Sequence, residues 1–443
     1  MTAYTSAVSS MLQMVSNSSM DHDRLVEQIV TFERQVTTLG DSMVNSDHIA
    51  EKFNNQSGYG QQIALDKYLQ AQFPANYLPD DVLLCSPSYF KRVSELIEKT
   101  DRETVQGHLM WFATYTLMSR VAPDFSLPLR RLRNVMIGVK PENTMERWKY
   151  CMNQLATDMR WSYGRGFLQQ AFPVESKTLG DRMIEEFKDV YRERLRKIGY
   201  PTSNPDLGDA KSVNDWYHGL NISSDTYFKN SVDLAIADMN TYHAYDQNAI
   251  VFPAGFMQSP LFGLGYPDHI NYGAWGMLAS HEIIHGFDNL GYHLDETSTR
   301  VDWWDNATSV EFEQRGQCFV DQFDQYQIVG ADGQLKNVNG TRTQNEAIAD
   351  AGGLATSFRA WQQRKAQAPS KKLPGLEGFT AEQLFFISFG HIWCSKMQPA
   401  KLEQMIGDSH PPHRARLLYT TANSRGFLEA FNCLTKEPVC ELW

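Results

Sequence analysis

Basic clusters are missing from this 443-residue sequence. No long block of Lys or Arg occurs, and the formal net charge is −11. A nucleic-acid surface needs gathered positive charge to displace counterions, so that class of function is disfavoured. Long apolar runs are missing too. The most apolar stretch, HLMWFATYTLM (108–118), is interrupted by polar residues and falls short of a membrane-spanning helix. It reads as a core helix. The N-terminus, MTAYTSAVSSMLQMVSNSS, has neither the basic start nor the continuous apolar centre of a secretory signal. Cysteine is sparse: Cys85, Cys151, Cys318, Cys394, Cys433 and Cys440. None forms a C-x-x-C pair, which argues against a thiolate zinc site or a redox dithiol. There is no internal repeat and no low-complexity segment.

What is present is an ordinary globular composition, 42% hydrophobic and 21% charged, in a chain long enough for two or more domains. Five N-x-S/T sequons, at Asn17, Asn55, Asn221, Asn306 and Asn339, combine with the cysteines to lean towards a secreted or cell-surface setting. The first 200 residues space their apolar positions by three or four, over 25–39, 88–99, 104–121 and 180–198. This predicts a helical scaffold, and no cluster of His, Cys or carboxylate in it resembles a site. GYPTSNPDLGDA (199–210) has the Gly, Pro, Asn and Asp of a linker. Beyond it, NAIVFPAGFMQSPLF (248–262) predicts a short strand leading into a turn. NYGAWGMLASHEIIHGFDNLG (271–291) is apolar nearly all round, as expected of a central buried helix stopping near Gly291.

That helix carries HEIIHGFD (281–288). Residues four apart share a helix face, so His281 and His285 can direct two imidazoles at one metal ion. Glu282, about 100° further round, lies outside the ligand shell but near a water bound there. Such a base must reach the water without becoming a ligand. The competing reading is a buried helix whose histidines hydrogen-bond to backbone. Burying two imidazoles and a carboxylate is costly unless a cation compensates, which favours zinc.

A third ligand separates the zinc hydrolase classes. A metzincin needs Gly at 288 and His at 291, where this chain has Asp288 and Gly291. NEAIADAGG (345–353) offers a carboxylate instead. Glu346 and Asp350 stack four apart in an otherwise apolar segment. Glu346 is the expected ligand. Asp350 would hold the far ring nitrogen of His281, and Asp288 could do the same for His285. The alternative for both aspartates is a helix-terminal or capping carboxylate.

In combination, these motifs resemble those of the neprilysin-type zinc endopeptidases, which include the endothelin-converting enzymes. NAIVFPAGFMQSPLF is similar to the family's N-x-I-x-F-P-A-G-x-x-Q-x-P-x-F, HEIIHGFD to HExxHxFD, and NEAIADAGG to ExxADxGG. VDWW (301–304), QLFFISFGHIWC (383–394), DSHPPHRAR (408–416) and the terminal CELW also have counterparts there, so the likeness runs over about residues 80–443. It implies a mainly α protein: a thermolysin-like zinc catalytic domain with a small β element over 206–443, and a helical cap over 1–205. It implies one zinc ion per chain on His281, His285 and Glu346, with Glu282 and His410 as catalytic residues beside Asp350. Asn240, Thr241 and Arg416 would bind substrate backbone. Phe256, Leu261, Met277, Leu278, Ile392 and Trp393 would line the pocket for a hydrophobic residue after the cleaved bond, although bottom-up those six are simply core apolars. Cys318 would pair with Cys440. Cys394 and Cys433 would lack the family's N-terminal partner cysteines, and the pairing of Cys85 and Cys151 stays open.

The implied function is hydrolysis of small peptides outside the cell or at its surface. The alternative is a non-catalytic zinc-binding fragment or isoform of such an enzyme. Departures from the family pattern are Thr241 for Ala, Ala347 for Asn and Ala415 for Phe. Family members are longer, with a cytoplasmic tail, a membrane helix and more of the cap. Two interior stretches, after residue 199 and just before Asn240, are also short. The expectation is therefore a shortened member, without the family's membrane anchor in this chain.

Overall fold

Helices dominate the computed structural model of the chain, which describes residues 2–15, 21–41, 50–52, 67, 71, 83–117, 123–198, 221–222, 238–245, 247–301, 303–367 and 372–442. It divides into two compact units, Met1–Thr144 and Met145–Trp443. The predicted linker over 199–210 lies outside the described residues, as does a boundary at 205. Residues 147–198, expected in the cap, cluster with the second unit.

The first unit holds α1 (Thr2–Val15), α2 (His22–Asp41), an antiparallel pair β1 (Ala50–Lys52) and β2 (Leu83–Cys85), α3 (Pro87–Lys99), α4 (Arg102–Leu117) and α5 (Pro123–Met136). Its core is Val8, Met11 and Leu12 against Leu25, Val26, Ile29, Trp111 and Leu129. The expectation of a core helix over 108–118 is half met. α4 is helical, but it buries only Thr104, Gly107 and Trp111, while Leu109 and Phe112 stand 59% and 60% exposed. Its apolar residues run round the helix, whereas close packing occurs on the stripe that the three- and four-residue spacing of 104, 107 and 111 defines.

The second unit holds α6 (Arg147–Asp158), α7 (Arg160–Ala171), α8 (Val174–Ile198), β3 (Asn221–Ile222), β4 (Tyr242–Ala244) and β5 (Ala249–Val251). There follow α9 (Asp268–Asn271), a π-helical turn (Tyr272–Gly276), α10 (Met277–Ile284) and a 3₁₀ turn (His285–Phe287). The remainder is α11 (Asn306–Asp324), the hairpin β6 (Gln327–Val329) and β7 (Leu335–Asn337), α12 (Gln344–Gln367), α13 (Ala381–Ile392), α14 (Pro399–Met405), α15 (His413–Ala422) and α16 (Arg425–Ala430). The predicted strand in NAIVF is β5. It pairs antiparallel with β4, His243 opposite Ile250, and parallel with β3.

α8 presents Met183, Phe187, Tyr191 and Leu195, each four apart and fully buried, to the core around Trp275, Phe287 and Trp361. The segment 271–287 is buried on every side, as its sequence predicts. α10 and α12 approach so closely that a Cβ on Gly353 would sit 2.8 Å from the backbone N of His281. Only glycine allows that approach. Gly291 plays a similar part where the chain turns back, since a Cβ there would lie 1.9 Å from the His285 carbonyl oxygen. Cys318 on α11 and Cys440 form a disulfide, while Cys151, Cys394 and Cys433 are free thiols. Sequon residues Asn306 and Asn339 are exposed; Asn17 and Asn55 lie outside the described residues. No helix among the described residues is long and apolar enough to cross a membrane.

Candidate active site and metal centre

His281 lies on α10 and His285 opens the turn after it, so both rings leave one side of the segment. Their Nε2 atoms stand 2.9 Å apart. Glu346, in the first turn of α12, brings Oε2 to 3.3 Å from His281 Nε2 and Oε1 to 3.6 Å from His285 Nε2. All three side chains are buried, as is Glu282. His281, Glu282 and His285 also form a cluster whose potential ligand atoms lie within 4.8 Å of one another.

These groups fit zinc on two counts. A tetrahedral ion with bonds of about 2.0–2.2 Å holds its ligand atoms about 3.3–3.6 Å apart, close to the separations found. Glu346 Oε2 is also buried without a hydrogen-bond partner, and a cation would compensate that otherwise costly state. Two imidazoles and a carboxylate are a donor set zinc accepts in hydrolases.

The far sides of both rings meet carboxylates. His285 Nδ1 lies 2.6 Å from Asp288 Oδ2. Asp288 Oδ1 accepts from the backbone N–H groups of Leu290 and Gly291, each at 2.8 Å. His281 Nδ1 lies 3.0 Å from Asp350 Oδ1, though off the line of a good hydrogen bond. Asp350 lies within α12, whereas Asp288 is also helix-terminal: it follows the 3₁₀ turn His285–Phe287 and accepts from Gly291, the first residue of a second such turn, Gly291–His293. Arg416 on α15 donates to both Asp350 oxygens at 2.7 Å, reaches within 3.5 Å of Glu346 Oε2, and lies over the Trp393 ring at 4.2 Å.

Charge and burial oppose each other here. Burial by itself would depress the His281 pKa, but the Asp350 and Glu346 carboxylates raise it to about 10. Burial pushes Glu346 up, yet His285, His281 and Arg416 together hold it far below the usual carboxylate range. Glu282 is raised, chiefly by burial, with the two histidines pulling against it. A carboxylate of raised pKa is better suited to hold a proton between two steps.

A groove of about 560 Å³ opens over these residues. Asn240, Thr241, Phe256, Leu261, Leu278, Ile392, Trp393, His410 and Arg416 line it together with His281 and Glu282. Met277, expected in the pocket, is fully buried in the core and is not among the lining. His410 stands exposed at the rim, its Nε2 3.5 Å from Glu346 Oε2 and its Nδ1 2.9 Å from Asp408. Asn240 is exposed, and Thr241 Oγ donates to the Val251 carbonyl at 2.6 Å, which ties it to β5.

Some of this neighbourhood escaped the sequence. Met239, Pro260, His391 and His413 also line the groove. His243 and Tyr245 back the metal helix. The His243 ring places Nδ1 3.0 Å from the Glu282 carbonyl, and the Tyr245 hydroxyl donates to Asp288 Oδ2 at 2.6 Å. Their signal was the two-residue alternation in TYHAY, which puts both rings on one face of β4 and its extension.

Two models of Peptidase family M13 match, one over residues 240–441 and its N-terminal companion over 1–201. Neprilysin-11 of Caenorhabditis elegans is 28% identical over 97% of this chain and 57% of its own length. Endothelin-converting enzyme 1 of Mus musculus is 29% identical over 82% and 53%. The chain thus spans about half the length of the curated relatives it matches. Among solved structures, Mycobacterium tuberculosis zinc metalloprotease Zmp1 in complex with inhibitor superposes with a TM-score of 0.81 at 20% identity, covering 99% of this chain and 73% of that one. PepO from Lactobacillus rhamnosis HN001 gives 0.75 at 22% identity, with the same coverage. At such identities the superpositions speak for the fold. With both family models matched along the sequence and the HExxH helix facing the Glu346 helix in space, the chain belongs to peptidase family M13.

Proposed function

We propose that this chain is a zinc-dependent endopeptidase of small peptides, with one zinc held by His281, His285 and Glu346. The observation that carries the reading is the convergence of those three side chains, at tetrahedral spacing, beside a buried glutamate in a substrate-sized groove. Zinc, when bound, polarises the scissile carbonyl and makes a water acidic enough to attack at neutral pH.

The remaining steps belong to the protein. Glu282 takes a proton from the attacking water and later delivers it to the departing amine. His410, steadied by Asp408, is positioned at the rim to donate towards the oxygen on which charge develops. Arg416 and Asn240 hold the substrate backbone in register. Arg416 is pre-aligned for this by Asp350 and by the Trp393 face. Phe256, Leu261, Leu278, Ile392 and Trp393 favour a hydrophobic residue after the cleaved bond. The disulfide, together with relatives named as neprilysins and as membrane metallo-endopeptidase-like 1, supports work outside the cell or at its surface.

The deciding experiment measures zinc content and chelator-sensitive cleavage of a short fluorogenic peptide, in the native chain and in Glu282→Gln. The expected result is about one zinc in both, with cleavage in the native chain alone. Zinc without cleavage in the native chain would favour a non-catalytic zinc binder. Undiminished cleavage by the variant would remove Glu282 from the mechanism.

A further inference from the structure

We propose that Tyr245 is a positioning residue for the metal centre, acting on His285 through Asp288. The inference rests on the zinc site described above but concerns a residue outside it. Tyr245 follows β4, and its ring packs edge-on to both His243 at 4.8 Å and His285 at 5.9 Å. Its hydroxyl donates to Asp288 Oδ2 at 2.6 Å and lies 3.1 Å from His285 Nδ1.

A phenol has one proton. It goes to Asp288, and because a carboxylate only accepts, His285 Nδ1 is likewise the donor in its own 2.6 Å contact with Asp288. Asp288 then accepts four hydrogens, two on Oδ1 from Leu290 and Gly291 and two on Oδ2 from His285 and Tyr245. Its rotation is fixed from both ends. With Nδ1 protonated, the lone pair of His285 stays on Nε2, the atom that faces His281 and Glu346. The backbone N–H groups anchor Oδ1 only. Tyr245 is the contact that holds Oδ2 against sliding off the imidazole.

His243 supports the same arrangement from two residues earlier, with its Nδ1 against the Glu282 carbonyl. β4 and the residue after it thereby touch the metal-binding segment at both Glu282 and Asp288. Loss of an outer partner of a metal-bound histidine typically weakens metal binding by about 10–100-fold, and one hydroxyl acting through a carboxylate belongs at the lower end.

The test is zinc affinity, read by competition with a chromogenic chelator, for the native chain, Tyr245→Phe, Asp288→Asn and the double variant. Tyr245→Phe keeps the ring packing and is expected to weaken zinc about tenfold in the native background. In the Asp288→Asn background it should change affinity by less than about twofold, because the two act as one unit. An equal loss in both backgrounds, or none in the first, overturns the proposal. If the native chain itself binds no zinc, the metal site has failed rather than the role of Tyr245. Should Tyr245→Phe not fold, 3-fluorotyrosine at 245 provides the readout: it keeps the shape and strengthens the donor, so an unchanged zinc affinity overturns the proposal.

Discussion

Arg416 and Asp350 are joined by two parallel hydrogen bonds of 2.7 Å, Nε to Oδ2 and Nη2 to Oδ1, where both side chains are almost wholly shielded from water. The paired geometry matches a planar guanidinium to a planar carboxylate. Removing one partner leaves the other charge buried, which commonly costs about 3–5 kcal/mol. Asp350→Ala should therefore destabilise the zinc-stripped protein by about 3 kcal/mol, with Glu346 at 3.5 Å sparing it the upper end. Urea unfolding reads this directly, and adding Arg416→Met should recover part of the loss. A cost below about 1 kcal/mol would mean the pair is not the buried unit described.

Acid and alkali should destabilise the zinc-stripped protein for different reasons. The His243 pKa is lowered to about 3, chiefly by burial. Between that value and its ordinary 6.5, the unfolded chain holds the proton and the folded chain does not, so stability rises with pH over this window. His281 behaves oppositely. Raised to about 10, it contributes stability that is complete below 6.5 and lost as pH climbs through its folded value. Stability should peak near neutrality, with each limb sloping by at most about 1.4 kcal/mol per pH unit per group. Urea midpoints from weak acid to alkali check this. His243→Gln should flatten the acid limb between about pH 5 and 6.5. An unchanged acid limb in that variant would remove His243 as its cause.

Much of the site was legible because its chemistry is local. His281, Glu282 and His285 sit within two helical turns, and Glu346 and Asp350 share the face of another, so helical periodicity alone aligned each set. Apolar surroundings made their charges conspicuous. Tyr245 and His243 were not legible in this way. Their partners lie about 40 residues further along the chain, and nothing in a three-residue strand says which helix it will touch. Met277 was misplaced for a related reason. Beside Leu278 in sequence, it differs by about 100° in direction, enough to turn it from the groove into the core. The exposed face of α4 shows the same limit, since apolar content predicts a helix but not how many neighbours it finds.

Gly353 is a sharper test of the helix pairing. A Cβ there would sit 2.8 Å from His281 N and 2.9 Å from its Cα. Both are backbone atoms of a buried helix, so neither can swing aside. Gly353→Ala should push α12 from α10 and lower stability by about 1–3 kcal/mol, despite the better helix propensity of alanine. It should also weaken zinc binding, because Glu346 rides on α12 and His281 on α10. Retained zinc affinity and stability together would show that the two helices can separate without disturbing the ligands.

Leu278 offers a test of what the groove selects. It lies about one turn before His281, the first of the two histidines, and lines the groove while only 8% exposed. A substrate side chain seated there meets Leu278 alongside Phe256, Leu261 and Ile392. Leu278→Ala removes the branched end of the side chain, the Cγ and both methyl groups, from that contact, worth about 1–3 kcal/mol of discrimination in a hydrophobic pocket. For peptides with leucine after the cleaved bond, kcat/KM should fall about tenfold or more, whereas peptides with alanine there should lose little. Bulky aromatic residues should gain relative to leucine, since the cavity deepens. A uniform loss across all three would place Leu278 in the support of the metal helix instead of in the wall that reads the substrate.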